Sequence, residues 1–495
     1  MSFRSTICRM WFSRRERAVD FFRRRPAETQ ERMFREALRR GRNTAFGRYF
    51  GLPEVRTPEE FGARVPVFDY ESFKPWIARM LGGERNVAAP GRVDLFARSS
   101  GTTSDRSKYI PVTRESLWKN HTLGMRDLAM LVMAADPNTR AFDGKTLTLG
   151  GSCRREGRNL VGDLSALLIH ETAFVSRWVR APKSRTAIIA DFDRKAEAIA
   201  RECARQHITA FAGVPSWNLA LMRRVLEHTG KRNLLDVWPD LSLFAHGGVE
   251  FAPYRRSFET LIPSSDMRYM ETYNASEGFF ALADDPQRDD MLLMLDYGTY
   301  FEFRDGDRIV PLEGVEAGRR YAMLVTSANG LWRYEIGDRV EFTSTDPYRI
   351  RFAGRTKQYI NVFGEELIVD NADRALAEAC AATGAAVAEY SVAPCYMTID
   401  ERGAHEWLVE FEREPADREA FAAALDRALR RVNSDYDAKR QTTLERQHLT
   451  VVAPGTFLAW MRARGKNKVP RLVNGRSVAE DIVRFVAEAA GSPDA

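Results

Sequence analysis

The chain has 495 residues, with 74 Lys and Arg against 68 Asp and Glu, for a formal net charge of +6. At that length two or more domains are expected rather than one core. A hydrophobic content of 44% and a charged content of 29% are those of an ordinary globular protein. No apolar run approaches the ~20 residues that cross a bilayer; the longest, Ala129 to Ala135, is broken at once by Asp136 and Pro137.

The five cysteines, Cys8, Cys153, Cys203, Cys380 and Cys395, stand far apart with no CxxC pair. That spacing offers neither a zinc site nor a disulfide framework, and it suits a reducing, cytoplasmic setting. At the N-terminus Arg14, Arg15, Arg23, Arg24 and Arg25 cluster, but Glu16, Asp20, Glu28, Glu31 and Glu36 are interspersed. A basic surface helix is expected there rather than a cleaved leader.

Residues 27 to 41 follow as an amphipathic helix, with Met33, Phe34 and Leu38 at helical spacing. From about 90 to 330, β-rich apolar segments alternate with helical ones. Lys145 to Gly151 and Arg320 to Ser327 read as strands; Asp191 to Gln206, with Ala196, Ile199, Ala200 and Cys203 on one face, reads as a helix. The alternation predicts an α/β unit. After about residue 354 the pattern gives a helix (370 to 382), strands (389 to 393 and 406 to 412), a long helix (417 to 432) and a strand (448 to 453). This is a small α+β unit, closing in the basic loop RARGKNKVPRLVNGR.

Several chemistries are excluded by pattern. Gly144-Lys145-Thr146 fails as a P-loop because Thr139 stands where the earlier glycine is required. No HExxH, GxSxG or GxGxxG occurs, and no two of the seven histidines have metal-ligand spacing.

Five segments carry potential chemistry. Ser99-Ser100-Gly101-Thr102-Thr103-Ser104, with Lys108 close behind, offers backbone N–H groups, hydroxyls and a cation. That is what a polyphosphate cradle needs, though a Ser/Thr-rich surface loop has the same text. In Tyr273-Asn274-Ala275-Ser276-Glu277 a ring can stack on a purine, and a carboxylate can hold Mg²⁺ through oxygen. In Tyr334-Glu335-Ile336-Gly337-Asp338 the strand-end carboxylate can accept two ribose hydroxyls, or simply make a turn. Gly354-Arg355-Thr356-Lys357, followed by Ile360 and Gly364, and the terminal Lys466 to Arg471 are basic loops.

Taken in order, these segments resemble the motif series of adenylate-forming enzymes, which reads roughly SGTTGxPK, YGxTE, YxxGD and GRxDxxIKxxG. Gly354, Arg355, Ile360 and Gly364 keep the offsets of the last of these, with Lys357 in place of a common hinge Asp. Within that superfamily the chain resembles the plant auxin-responsive acyl acid amido synthetases (Gretchen Hagen type) and their bacterial relatives. The supporting text is SSGTTSDRSKYIP, GVPSW, ETYNASEGFFA, GLWRYEIGDRVEF and KVPRLVN, and the similarity runs from about residue 30 to 480.

The resemblance implies an α/β adenylate-forming (acyl-activating) fold. A large N-terminal domain over 1–353 would be followed by a small mobile α+β domain over 354–495. It implies an ATP- and Mg²⁺-dependent ligase that adenylates a carboxylic acid and passes the acyl group to an amine, an amino acid in the family pattern, acting as a monomer. Ser99, Ser100, Gly101, Thr102, Thr103 and Lys108 would hold phosphates. Gly247, Gly248, Val249 and Tyr273 would line the adenine, Asp338 the ribose, and Arg355 the same nucleotide. Glu277 would hold Mg²⁺, Ser276 would lie near the α-phosphate, and Lys468, with Lys466 as its competitor, would be the catalytic lysine. Two alternatives stand beside this: transfer to a thiol of coenzyme A or a carrier protein, and a basic nucleic-acid or membrane-surface binder.

Overall fold

Residues 15–100, 107–356, 358–466 and 468–490 are described by the computed structural model. A helix over 15–24 leads into α1 (Pro26–Gly41), where Pro26 occupies a first-turn position that needs no N–H donor. Met33 and Phe34 are buried, as the helical spacing predicts, while Leu38 is only partly buried and Ala37 is buried beside them. Phe34 packs on Phe61 and Tyr300 with centroids 5.5 and 5.0 Å away.

The expected basic surface at the N-terminus needs correcting. Arg15 is 9% exposed and donates from Nε to Asp127 Oδ2 at 2.6 Å and from Nη2 to Asp296 Oδ1 at 2.8 Å. Arg23 donates to Asp284 Oδ2 at 2.6 Å, while Arg24 and Arg25 remain exposed. Arg23 also approaches the local Asp20 at 3.8 Å, but the close carboxylate partners of Arg15 and Arg23, Asp127, Asp296 and Asp284, lie more than a hundred residues away, outside the local charge pattern.

Beyond α2 (Tyr70–Leu81), a four-stranded sheet holds β1 (Leu95–Ser100) and β2 (Ser107–Val112) as an antiparallel pair. α3 (Thr122–Ala135) then leads to the main sheet of twelve strands. Its first half is parallel: β3 (Lys145–Thr148), β4 (Ile208–Gly213), β5 (Leu243–Gly247) and β6 (Arg268–Ala275). The crossovers are helical, among them α4 (Phe192–Cys203), capped by Asp191 Oδ1 on the Arg194 N–H at 2.8 Å, and α5 (Pro215–Thr229).

The second half is antiparallel. β7 (Gly278–Leu282) turns back on β6, and β8 (Met291–Leu293), β9 (Thr299–Asp305), β10 (Arg320–Ser327), β11 (Tyr334–Thr345) and β12 (Tyr348–Arg355) complete it. In space β8 lies between β7 and β12, and β11 separates β12 from β10. β10 spans the residues expected of it, and from Tyr321 to Ser327 it is buried on both faces, as the apolar run predicts. The strands at 145–148 and 320–327 and the helix near 191–206 are therefore all present.

The carboxy-terminal unit also follows the sequence reading. It contains α6 (Val369–Thr383), β13 (Ala386–Cys395), β14 (Ala404–Arg413) and α7 (Arg418–Val432). α8 (Ser434–Arg440) and β15 (His448–Val452) come next, then α9 (Thr456–Ala463), the basic loop and α10 (Ser477–Ala490). β13 pairs antiparallel and β15 parallel to β14.

Ile360, Val362, Phe363 and Leu367 are buried in one cluster with Phe244, Tyr254 and Phe258. Tyr254 Oη donates to Val362 O at 2.6 Å, and Ser216 Oγ to Phe363 O at 3.0 Å. The residues that follow β12 are thus packed into the core of the parallel half-sheet. Hydrophobic burial and buried hydrogen bonds together fix the entry to the carboxy-terminal unit.

Candidate active site

Ligands of open α/β sheets bind beyond the carboxyl ends of parallel strands, where the strand order changes direction. Here that place is the end of β5 and β6, beside the β11–β12 hairpin, and several of the sequence-derived residues converge on it.

At the end of β5, Gly247 has no room for a side chain: a Cβ would lie 2.3 Å from Thr272 O. Gly248 follows in the left-handed region at φ +84, where glycine carries no steric penalty. Its carbonyl accepts from Asn361 Nδ2 at 3.0 Å, and Val249 is buried behind it. This bare backbone edge is what a flat base needs to lie close.

The next layer is a chain of hydrogen bonds. Tyr273 on β6 donates from Oη to Asp338 Oδ2 at 2.7 Å, and Arg355 donates from Nε to Asp338 Oδ1 at 2.9 Å. Arg355 Nη1 reaches Glu366 Oε2 at 3.3 Å. Asp338 and Arg355 face each other across the β11–β12 register, and a bulge follows between Asp338 and Val340. Burial works against the Arg355 charge, but Glu366 and Asp338 hold the guanidinium raised well above its ordinary range. Burial, then Asp338, pushes the Tyr273 hydroxyl well up.

Glu277 sits in the β6–β7 turn, next to the partly exposed Ser276. Burial pushes its carboxyl up to about 7, opposed by the charge of Lys108. Its backbone carbonyl accepts from Asn329 Nδ2 at 3.1 Å, while Asn329 Oδ1 accepts from the Thr113 N–H at 3.0 Å. One buried amide thus joins the turn to the end of β2. Asn120 makes a second clamp, accepting from Phe279 N at 2.6 Å and donating to Tyr297 O at 3.0 Å.

Lys108 lies opposite Ser99 in the β1–β2 register, and Ser100 opposite Ser107. Burial, then Arg355, pushes the Lys108 ammonium below the ordinary lysine range, while Glu277, Glu366 and Asp338 act the other way. Its Nζ lies 5.8 Å from the centroid of Tyr70, whose Oη accepts from Tyr109 N at 3.1 Å.

The structure therefore brings together Lys108, Tyr273, Glu277, Asp338 and Arg355, with Ser99 at the strand end and Gly247 to Val249 at the rim. Gly101, Thr102, Thr103 and Lys357 lie outside the described residues. Lys468 is exposed on the α9–α10 loop, and no hydrogen bond or ion pair joins it to this cluster among the described residues. Its loop is fastened elsewhere: Arg471 donates to Glu389 Oε1 at 3.0 Å, and Val469 is buried. Lys466 lies with Nζ 5.4 Å from the Trp460 ring. Sequence reasoning missed Glu366, Asn329 and Tyr70; the first two adjoin recognised motifs, at Gly364 and at Gly330, but nothing in those motifs assigns them a role.

This fold is that of the adenylate-forming ligases. The solved GH3.15 acyl acid amido synthetase superposes with a TM-score of 0.59 at 18% identity, covering 93% of each chain. A 2-hydroxyisobutyryl-CoA ligase, in complex with 2-HIB-AMP and CoA, superposes at 0.58 with 17% identity, covering 94% of this chain and 92% of that one. The chain belongs to the GH3 family. The family's N-terminal domain matches residues 15–159 and 151–267, its central domain 292–355 and its C-terminal domain 370–477. Similar curated proteins include the indole-3-acetic acid-amido synthetase GH3.8 of Oryza sativa subsp. indica, 23% identical over 94% of this chain and 91% of its own. The indole-3-acetic acid-amido synthetase GH3.4 of Arabidopsis thaliana is 22% identical over 96% and 94%.

Proposed function

We propose that this chain is an ATP-dependent acyl acid amido synthetase: it adenylates a carboxylic acid, releasing pyrophosphate, and transfers the acyl group to an amine, an amino acid by family pattern, releasing AMP. The observation that carries it is the Tyr273–Asp338–Arg355–Glu366 chain, with Lys108 and Glu277 beside it, at the switch point of this sheet. Amido synthetases that span nearly the whole chain support the amine as acceptor. The likeness to a CoA ligase is one of fold and leaves the thiol reading weaker.

Adenylation brings a carboxylate onto the α-phosphorus, an approach of like charges. At ~4 Å and an effective dielectric of ~20, one such pair costs about 4 kcal/mol, roughly three decades of rate. Lys108 and Arg355 are partly buried cations that would offset it. Asp338 would hold the ribose, and Gly247, Gly248 and Val249 the base.

Glu277 suits Mg²⁺: it is a buried carboxylate whose elevated proton affinity marks an unmet demand for positive charge. Among the described residues no group of three or more His, Cys, Asp or Glu could hold a metal ion. A single carboxylate matches Mg²⁺, which keeps waters and substrate phosphates as its other ligands. Bound there, Mg²⁺ would supply charge neutralisation of the phosphates. Lys468 would reach the reacting groups by rotation of the carboxy-terminal unit, with Ser276 near the α-phosphate.

The test is pyrophosphate release with Mg·ATP across aryl, indole and short aliphatic acids, with and without amino acids. Acid-dependent release that rises with an amino acid, and an amide mass in the product, is the expected result. Release unaffected by amino acids but raised by a thiol would move the acceptor. Lys468→Ala should lose release while keeping ATP binding, and wild-type release by that variant would remove its role.

A further inference from the structure

Lys439 has no part in the scheme above, yet it sits beside the residues that do. It is 6% exposed, on α8 of the carboxy-terminal unit. Among the described residues its ammonium has no hydrogen-bond or ion-pair partner, though the nitrogen itself is not fully sealed from solvent. A largely buried cation without a counter-charge is less favourable than one that is paired. Burial holds its pKa below the ordinary lysine range, and Asp435, Asp163, Glu365 and Glu366 act on it without closing a bridge.

The Trp217 ring centroid lies 3.9 Å from Nζ. Lys195 approaches the same ring at 5.8 Å, but its ammonium is bonded, donating to Gly150 O at 2.6 Å. Of these two lysines, one is satisfied by the protein and the other is not. Gly364 leaves space next to Lys439: a Cβ there would lie 2.9 Å from Cε and 3.2 Å from Nζ.

The helix carrying Lys439 is tied to the nucleotide site at two points. Asn433, its N-cap, donates from Nδ2 to the carbonyl of Glu366 at 3.2 Å, and Glu366 is the partner of Arg355. Ser434 and Ser107 share a hydroxyl hydrogen bond of 2.9 Å, one residue from Lys108. The N-terminal end of α8 is therefore tied to neighbours of both site cations, and Lys439 lies one turn further along the same short helix.

We propose that Lys439 is an anion-contact residue of this active site, brought to it by the carboxy-terminal unit, and that its counter-charge is an oxyanion of the reactants: a nucleotide phosphate or the carboxylate of an amino-acid acceptor. The inference rests on the amido synthetase reading. It gives the carboxy-terminal unit a charge in the site in the docked arrangement, where Lys468 is exposed and makes no bond to the site cluster among the described residues.

Lys439→Met keeps an apolar stem against Trp217 and removes the charge; Lys439→Gln serves if that variant fails to fold. Binding of ATP and of inorganic pyrophosphate is measured by calorimetry. KM is measured for an amino acid and for a simple amine lacking a carboxylate. A phosphate contact weakens ATP and pyrophosphate binding about 10- to 100-fold, the span of a hydrogen bond to a charged group. An acceptor contact leaves nucleotide binding unchanged, raises the amino-acid KM by the same factor and spares the plain amine. Lys439→Arg should recover most of either loss. Values within twofold of wild type in every arm, with or without a shift in thermal midpoint, overturn the proposal and leave a cation–π prop. Wild-type protein that binds ATP but releases no pyrophosphate with any acid sinks the amido synthetase reading instead, and the binding arms, with amino-acid binding added, still decide Lys439.

Discussion

Asp338 holds two buried hydrogen bonds and is also the proposed ribose ligand, and two substitutions separate these roles. Its oxygens accept from Tyr273 Oη at 2.7 Å and from Arg355 Nε at 2.9 Å, and the residue is 6% exposed. Asp338→Ala strands both donors. Breaking a buried pair by removing one partner costs about 3–5 kcal/mol. The value here belongs at the lower end, about 3 kcal/mol, because Arg355 keeps Glu366 at 3.3 Å. Asp338→Asn preserves the shape: its oxygen can accept from Arg355, and its amide can donate to a rotated Tyr273 hydroxyl. Only the charge is lost, for which about 1–2 kcal/mol is expected. Urea unfolding followed by tryptophan fluorescence reads the stability of both variants, and calorimetry reads ATP affinity. Both should bind ATP at least tenfold more weakly, since the carboxylate proposed to face the ribose is lost in each. Equal stability losses for Ala and Asn would refute the separation of charge from hydrogen bonding. Wild-type ATP affinity in Asp338→Ala would refute the ribose assignment.

Glu277→Gln should raise the Mg²⁺ concentration for half-maximal pyrophosphate release at least tenfold, and an unchanged Mg²⁺ dependence would remove Glu277 as the metal-holding group. Gly124→Ala should destabilise by about 1–3 kcal/mol, measured by urea midpoint, because a Cβ would lie 2.6 Å from the Phe279 ring; the gain of about 1 kcal/mol from helix propensity is too small to reverse the sign. Burial holds His121 at a pKa of about 4, below its unfolded value near 6.5, so the unfolded chain binds the proton first. The stability tied to neutral His121 is present above pH 6.5 and lost as pH falls towards 4, about 2 kcal/mol between pH 7 and pH 5. His121→Gln should flatten the pH dependence of the unfolding midpoint by that amount, and an identical profile would contradict the assignment.

What could be read in the sequence was whatever is encoded over short spans. Tyr273, Glu277, Asp338 and Arg355 each sit in a motif a few residues long, because a strand end or a tight turn fixes a side chain relative to its immediate neighbours. The helices and strands of the carboxy-terminal unit followed for the same reason, apolar periodicity being local. The family resemblance arose from the order of those motifs, and the domain matches agree with it.

Tertiary structure decided which distant groups meet. No pattern around Arg15 announces Asp127 and Asp296, so a residue that reads as basic surface is a buried ion pair. Nothing beside Glu277 announces Asn329, and the insertion of β8 between β7 and β12 has no local signature. The lysines make the point most sharply. Lys468 stands out in the sequence because its motif does, yet it lies exposed on an anchored loop; Lys439, in an unremarked helix, is buried beside the site. Sequence determines which side chains are available and which local shapes they favour. Burial, desolvation and counter-charge depend on packing between segments hundreds of residues apart, and only the folded chain fixes those.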